Sequence, residues 1–392
     1  MSDEPILIAG GGIGGLATAM ALAQKNIPSL VLEKAQRLGE IGAGIQLGPN
    51  AFHCFDRLGV GETARQMAVY IDSLRLMDSM ADGEICHIDL GAAFRKRFGN
   101  PYAVVHRGDL HGVLLKACQD HRLVQLRVSS EVMGYEHDGE GVVARLASGE
   151  AVRGAALVGA DGLWSNIRKQ MIGDSARVSG HTTYRSVIPT EQMPEALRWN
   201  AATLWAGPKC HIVHYPLSGW KVFNLVVTYH NDAPEPVAGK LVPVEEVQRG
   251  FSHICERAQN IIRHGRDWHM WVLCDRDPVD GWIDGRVALL GDAAHPMMQY
   301  MAQGACMAME DAVCLADSLA RQEGSIEAGL ADYRDRRVLR TARVQLTSRA
   351  MGDHVYHPAG PHAALRNAIM SGKSQAEWLD ILEWIYGGNG LD

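Results

Sequence analysis

Five of the six residues from Gly10 to Gly15 are glycine, and they stand between the apolar run Pro5-Ile-Leu-Ile-Ala9 and the helix-forming stretch Leu16-Ala-Thr-Ala-Met-Ala-Leu-Ala23. A second apolar run, Ser29-Leu-Val-Leu-Glu33, follows. Strand, turn, helix and strand in this order make a βαβ unit. Within it Gly10, Gly12 and Gly15 satisfy G-x-G-x-x-G. The first glycine permits the tight turn, the second lets a pyrophosphate approach the backbone, and the third lets helix and strand pack closely. Free N–H groups at the helix start, backed by the positive end of its dipole, then face the phosphates. Glu33 ends the second strand about where an acid meets a ribose hydroxyl. NAD and FAD share this fingerprint, so it names a dinucleotide without choosing between them.

No second complete fingerprint follows, because Gly42-Ala-Gly44 is trailed by Gly48, one position late. One dinucleotide fold must hold the resident cofactor. At roughly 100–200 residues per domain, a chain of 392 residues predicts two domains. Its 47% apolar and 21% charged residues are ordinary for a globular protein and exclude disorder, collagen repeats and coiled coil. Acidic residues outnumber basic ones 45 to 38 without any Lys or Arg run, which argues against nucleic acid as a partner. The eight cysteines show no C-x-x-C pair and the seventeen histidines no H-E-x-x-H. Reduced thiols, a cytoplasmic location and no metal are the expectation. Residues 5–24 carry no charge, but Asp3 and Glu4 precede them and glycines interrupt them, so neither a signal peptide nor a membrane span is expected.

Two later segments repeat a strand-to-turn form. Leu157-Val-Gly-Ala-Asp161-Gly-Leu-Trp-Ser165-Asn-Ile-Arg168 is an apolar strand that turns through Asp-Gly into a helix start, and Arg286-Val-Ala-Leu-Leu-Gly291-Asp292-Ala-Ala-His295-Pro296 is a strand that turns through Gly-Asp. Either alone is an ordinary junction. In this order behind the amino-terminal glycines they resemble the flavoprotein aromatic hydroxylases, the group A flavin monooxygenases, over residues 3 to about 350.

The resemblance implies FAD, bound noncovalently, and assigns roles to residues. Gly10, Gly12 and Gly15 would wrap the pyrophosphate, Glu33 the adenosine ribose, and Asp292 the ribityl or ribose hydroxyls. Arg107, in His106-Arg-Gly-Asp-Leu-His111, matches an arginine that contacts FAD, and Asp161 supports the cofactor sites. Gln303-Gly304-Ala305-Cys-Met-Ala-Met-Glu-Asp311 matches the helix whose amino end faces the flavin pyrimidine, where its dipole favours negative charge on the reduced ring. Three further segments, Glu40-Ile-Gly-Ala-Gly-Ile-Gln46-Leu-Gly-Pro-Asn50, Tyr333-Arg-Asp-Arg-Arg337 and His354-Val-Tyr-His-Pro358, are similar to the salicylate and 3-hydroxybenzoate hydroxylase branch, with Gln46 at the cofactor. Met298-Gln-Tyr-Met-Ala-Gln-Gly-Ala-Cys306 is most similar to the 3-hydroxybenzoate 6-hydroxylases. Halogenases are disfavoured, since W-x-W-x-I-P does not occur.

The fold expected is α/β: a Rossmann-like FAD-binding domain of the aromatic hydroxylase type, an inserted β-sheet substrate domain and C-terminal helices. Residues 1–70, 101–178 and 276–350 would form the FAD domain, 71–100 and 179–275 the substrate domain, and 351–392 a helical end. The β-branched and aromatic runs between 180 and 275 support the sheet. The resemblance further implies hydroxylation of 3-hydroxybenzoate para to its hydroxyl, giving 2,5-dihydroxybenzoate, with NADH and O2 as co-substrates and a flavin C4a-hydroperoxide as oxygen donor. A phenol becomes electron-rich if its proton is withdrawn. In Cys210-His-Ile-Val-His-Tyr215, alternation puts His211, Val213 and Tyr215 on one face and His214 on the other. His211 is the preferred catalytic base, with Gln299 as its partner; His214 stays open. Tyr215 and Tyr102 are candidate substrate contacts, and Asp72 could support the histidine or be a surface acid. His295 follows the Gly-Asp motif without an assigned role. Salicylate hydroxylation, an oxygen-free flavin reductase and a non-catalytic FAD sensor are the competing functions, and a homodimer stays open.

Overall fold

Six strands, in the spatial order Ile283–Asp284, Val287–Leu289, Ala156–Gly159, Ile6–Ala9, Ser29–Leu32 and Val124–Arg127, form the sheet on which the molecule is organised. All its neighbours are parallel except the short pair at the Ile283–Asp284 edge. The central strands are continuous apolar runs because both faces are covered, one by helices including Ile13–Ala23 and the other by an antiparallel sheet of Ala151–Gly154, Val142–Leu146 and Val132–His137; Ile6–Ala9 and Ala156–Gly159 are buried throughout. The computed structural model describes residues 4–39, 43–322, 324–388 and 391. Among them no helix is long and apolar enough to cross a membrane.

The chain leaves this sheet and returns to it repeatedly, which is why motifs far apart in sequence meet. Gly10 follows Ile6–Ala9, Glu33 follows Ser29–Leu32, Asp161 follows Ala156–Gly159, and Gly291 and Asp292 follow Val287–Leu289. Parallel neighbours put all four turns at the carboxyl ends of adjacent strands, the edge where open α/β sheets bind ligands.

The second large element is an eight-stranded sheet in the order Ala238–Leu241, His269–Asp275, Arg177–Pro189, Val222–His230, Cys210–Leu217, Ala201–Gly207, Ser73–Asp78 and Gly83–Asp89. Six of its strands come from 177–275, and the last two come from the excursion at 73–89. One face packs on a core containing Trp205, Ile212, Phe223, Phe251 and Trp268, with helices Val244–Arg249 and Glu256–His264. The other face looks toward the dinucleotide loops. A small sheet of Gly44–Leu47, Ala103–His106 and Val69–Tyr70 joins the two halves.

Helix Gly304–Arg321 is buried along most of its length and packs on Ile13–Ala23 and on the long helix Ile326–Met351. A buried charge network fixes it. Glu310 accepts hydrogen bonds from Asn50, Arg337 and Arg340, while Asp311 accepts from Arg337, His295 and the Gly291 N–H. Burial alone would raise the Asp311 carboxyl, yet His295 and Arg337 hold it down at about 2. His295 is thus a wholly buried partner of Asp311, 2.5 Å from it, and not part of the cavity wall. After Ile326–Met351 come a π-helical turn, Gly352–Tyr356, and helices Pro361–Ser371 and Gln375–Tyr386.

Candidate active site

A single cavity of about 1060 Å³ runs from the glycine turn to the inner face of the eight-stranded sheet. At its first end Gly10 has φ +107°, and a Cβ there would stand 2.4 Å from the Ala160 carbonyl oxygen. A Cβ on Gly15 would stand 1.9 Å from the Gly10 oxygen. The turn therefore accepts only glycine at both places, and its backbone is left bare toward the cavity. Gly12 caps helix Ile13–Ala23, whose first turn carries no acidic residue. Glu33 holds the loop by accepting N–H bonds from Gly11 at 2.6 Å and Ala35 at 2.8 Å, and it still lines the cavity.

Gln46, Arg107, Asp161, Asp292, Gly304 and Ala305 line the same space, whereas Gly15 supports it from behind. Asp161 caps Asn166–Met171 through one carboxylate oxygen, 2.9 Å from the Asn166 N–H; the other oxygen is buried without a hydrogen-bond partner among the described residues. Burial pushes this carboxyl up. An orphaned acceptor facing a bare glycine turn suits a hydroxyl-rich dinucleotide, which would bring the missing donor. Helix Gly304–Arg321 starts without a side-chain cap or an acidic first turn, because the Gln303 side chain turns back to Asn50. Its free N–H groups can face an anionic ring edge. Of the segment 40–50, residues Glu40, Ile41 and Gly42 lie outside the described residues.

The other end of the cavity is the sheet. His211, Val213 and Tyr215 line it as alternation requires, and their neighbours across Val222–His230 and Arg177–Pro189 put Thr228, Val226, Thr183 and Arg185 on the same face. His214 points the other way, into the tryptophan core, where it accepts the Trp205 indole N–H at 3.2 Å. Of the two histidines, His211 lines the cavity and His214 does not. Burial, reinforced by His357 and His181, lowers the His211 ring well below the ordinary imidazole range, so it is neutral at pH 7. Its Nδ1 is bonded to His357 Nε2 at 2.8 Å, which leaves Nε2 for the cavity. Tyr102 donates to Gln46 at 2.8 Å, and both line the cavity with Tyr215.

Two expectations are corrected. Gln299 lines the cavity but does not bond His211: its amide nitrogen donates to Thr183 and Thr228 at 3.1 and 3.2 Å, and its oxygen accepts from Arg185 at 2.9 Å. With both N–H groups spent, only a remaining oxygen lone pair is left to offer a ligand. Asp72 is exposed outside the cavity and joins the sheet edge through its backbone, so it supports no histidine.

Arg185 was not visible in the sequence as a site residue, since no motif surrounds it. It lines the cavity partly buried, with the Gln299 oxygen as hydrogen-bond acceptor and the Trp271 ring 5.8 Å away, and no carboxylate pairs with it among the described residues. Burial lowers its guanidinium, with Tyr215 opposing and Arg107 adding to the shift. By contrast Arg168, Arg276 and Arg337 each have carboxylate partners. A withdrawn cation without an anion is costly unless a ligand supplies one.

Comparison with known proteins agrees with this geometry. Residues 3–348 match the FAD binding domain family. The chain is 56% identical over 383 residues to 3-hydroxybenzoate 6-hydroxylase 1 of Aquipseudomonas alcaligenes, covering 97% of each chain. It is 48% identical over 388 residues to 3-hydroxybenzoate 6-hydroxylase of Polaromonas naphthalenivorans, covering 99% of this chain and 97% of the relative. Among solved structures, Klebsiella pneumoniae HpxO complexed with FAD and uric acid superposes with a TM-score of 0.85 at 24% identity, over 97% of this chain and 96% of the other, which shows a shared fold. FAD is the cofactor of this enzyme. By its fold, its dinucleotide cradle and these relatives, the chain belongs to the FAD-dependent aromatic hydroxylases.

Proposed function

We propose that this enzyme hydroxylates 3-hydroxybenzoate para to its hydroxyl, giving 2,5-dihydroxybenzoate, with NADH and O2 as co-substrates. The observation that carries the reading is the pairing, in one cavity, of a neutral histidine whose Nε2 is left toward the cavity and an arginine, Arg185, with no carboxylate partner among the described residues. A hydroxybenzoate has a matching group for each. FAD, once reduced, supplies an activated oxygen from O2; the protein's own residues do the rest. Arg185 holds the carboxylate and so fixes how the ring lies. His211 takes the phenol proton at Nε2, which raises electron density at the carbons ortho and para to the oxygen. Gln299, anchored by Thr183, Thr228 and Arg185, keeps the guanidinium in place. Tyr215 and Tyr102 close the pocket around the ring, and the surrounding apolar wall keeps water from the activated oxygen. The carbon presented to the cofactor then decides which isomer forms, and the names of the relatives at 56% and 48% identity support the para carbon.

The test incubates FAD-loaded protein with NADH and air against 3-hydroxybenzoate, salicylate and 4-hydroxybenzoate. The expected outcome is 2,5-dihydroxybenzoate from the first, with one O2 consumed per product. Catechol from salicylate as the preferred reaction would move the substrate assignment. NADH oxidation without oxygen insertion for any of them would make the protein a reductase.

A further inference from the structure

The segment His354-Val-Tyr-His-Pro358 has no part in the reaction described so far, yet it delivers His357 onto the candidate base. We propose that His211 and His357 form a two-ring relay that carries the substrate's phenolic proton from the cavity to the surface, with His357 as the residue that hands it to water. The proposal rests on the reading that His211 deprotonates a phenol.

Three features carry it. The first is the bond itself, 2.8 Å between His211 Nδ1 and His357 Nε2, with ring planes 25° apart. The second is burial: His211 is 1% exposed, and the rings of Tyr356 and Tyr300 stand edge-on to it at 4.8 and 5.4 Å. The third is that His357, unlike His211, is only partly buried. Its backbone is pinned at both ends, its N–H to Gly352 and its carbonyl to the Lys209 N–H, so the ring is held in place.

The surroundings favour passage over storage. The titratable groups facing His357 are His211, His181, His230, Tyr300 and Tyr356, and no carboxylate touches its ring among the described residues. Beyond His230, 3.2 Å away from it, lies the exposed Asp232, which is also 3.9 Å from Lys209. Burial first, then His181 and His230, lower His357 to about 3. Neither ring holds a second proton at neutral pH, so a proton received at one nitrogen releases the one carried at the other.

The step balances without any change in oxidation state. The phenol O–H breaks as His211 Nε2–H forms; His211 Nδ1–H breaks as His357 Nε2–H forms; His357 Nδ1–H passes to water. Both rings end neutral with their tautomers exchanged. Run backwards, the path returns a proton to the ring oxygen once the new hydroxyl is in place and resets the tautomers. His357 touches no substrate atom and acts only through His211, so it is a positioning and relay residue.

Two variants of the FAD-loaded enzyme test this. His357→Gln keeps an acceptor for the His211 Nδ1–H but cannot pass a proton through; His357→Phe removes both. Proton release on mixing with 3-hydroxybenzoate is followed with a pH-indicator dye, alongside substrate affinity from the flavin spectrum. The parent is expected to release about one proton per bound substrate in a fast phase. His357→Gln should bind with unchanged affinity yet release the proton roughly 100-fold more slowly, with the rate restored by added imidazole. Release by His357→Gln at the parental rate overturns the relay and leaves His357 a mere support for His211. A parent that binds 3-hydroxybenzoate and releases no proton overturns the His211 step on which the relay rests, which is a different result from loss of the relay alone.

Discussion

Replacing Arg185 by Met separates a ligand-binding cation from a structural one. In the free enzyme the guanidinium is satisfied by one bond to Gln299 and by the Trp271 face, and burial disfavours its charge. Removing it deletes one neutral-acceptor hydrogen bond but also a desolvated charge, so stability should change by no more than about 1 kcal/mol in either direction. Binding should respond differently. A hydrogen bond to a charged group is worth about 1.5–3 kcal/mol, which corresponds to a roughly 10- to 150-fold weaker grip on a carboxylate. The assay compares KM for 3-hydroxybenzoate and for its neutral amide, 3-hydroxybenzamide, in parent and Arg185→Met enzymes, with Tm measured on the substrate-free proteins. The parent should prefer the acid and the variant should have lost that preference, at nearly unchanged Tm. Equal loss for acid and amide, or an unchanged KM for the acid, would refute the assignment of Arg185 to the carboxylate.

Three further outcomes follow from the geometry. Gly10→Val puts a branched side chain where a single Cβ already meets the Ala160 oxygen at 2.4 Å, and at φ +107°; the protein should purify colourless and fail to gain the flavin absorbance on incubation with FAD. His211→Ala should slow hydroxylation by roughly 10²–10⁴-fold, with flavin reduction less affected and hydrogen peroxide released instead of product, whereas His214→Ala, on the far face, should alter stability and spare the peroxide yield. The third concerns acid. His181 is lowered to about 4, His214 and His357 to about 3, and His211 well below its usual value, in each case by burial first. The unfolded chain therefore binds more protons than the folded one once pH falls below about 6.5, so this stability is complete above that pH and declines beneath it, by roughly 2 kcal/mol per ring at pH 5. Thermal unfolding from pH 7.5 to 5 should show Tm falling with pH, and a flat profile would contradict neutral burial of these rings.

What could be read from the sequence was whatever depends on near neighbours in the chain. The glycine turn, its flanking strand and helix, and the alternation that divides His211 from His214 are local properties, and each motif carries its own steric reason. The meeting of Gly10, Glu33, Asp161 and Asp292 was legible only through the resemblance to the aromatic hydroxylases, which places their motifs on one cofactor. Contacts between distant segments were not. Gln299 is 114 residues from Arg185 and 116 from Thr183, so nothing in its own neighbourhood reveals that its amide is already engaged. Arg185 sits in a strand whose sequence reads as plain sheet, and its significance, that no carboxylate pairs with it among the described residues, is something only the fold can show. His357, 146 residues from His211, was noticed as part of a segment, but its use depends on where the chain turns after Ile326–Met351. Asp72 shows the same limit, since its sequence left open a support for the histidine or a surface acid, and only its exposure in the fold decides for the surface.

Insertion of one atom of dioxygen at the carbon para to a phenol is the reaction proposed for this cavity. Running the reaction under ¹⁸O₂ with NADH and 3-hydroxybenzoate, and identifying the product by chromatography and mass spectrometry, tests it most directly. The expected product is 2,5-dihydroxybenzoate carrying one heavy oxygen at the new hydroxyl. A product hydroxylated ortho to the original oxygen, a product without the label, or NADH consumption that yields only labelled hydrogen peroxide would contradict it.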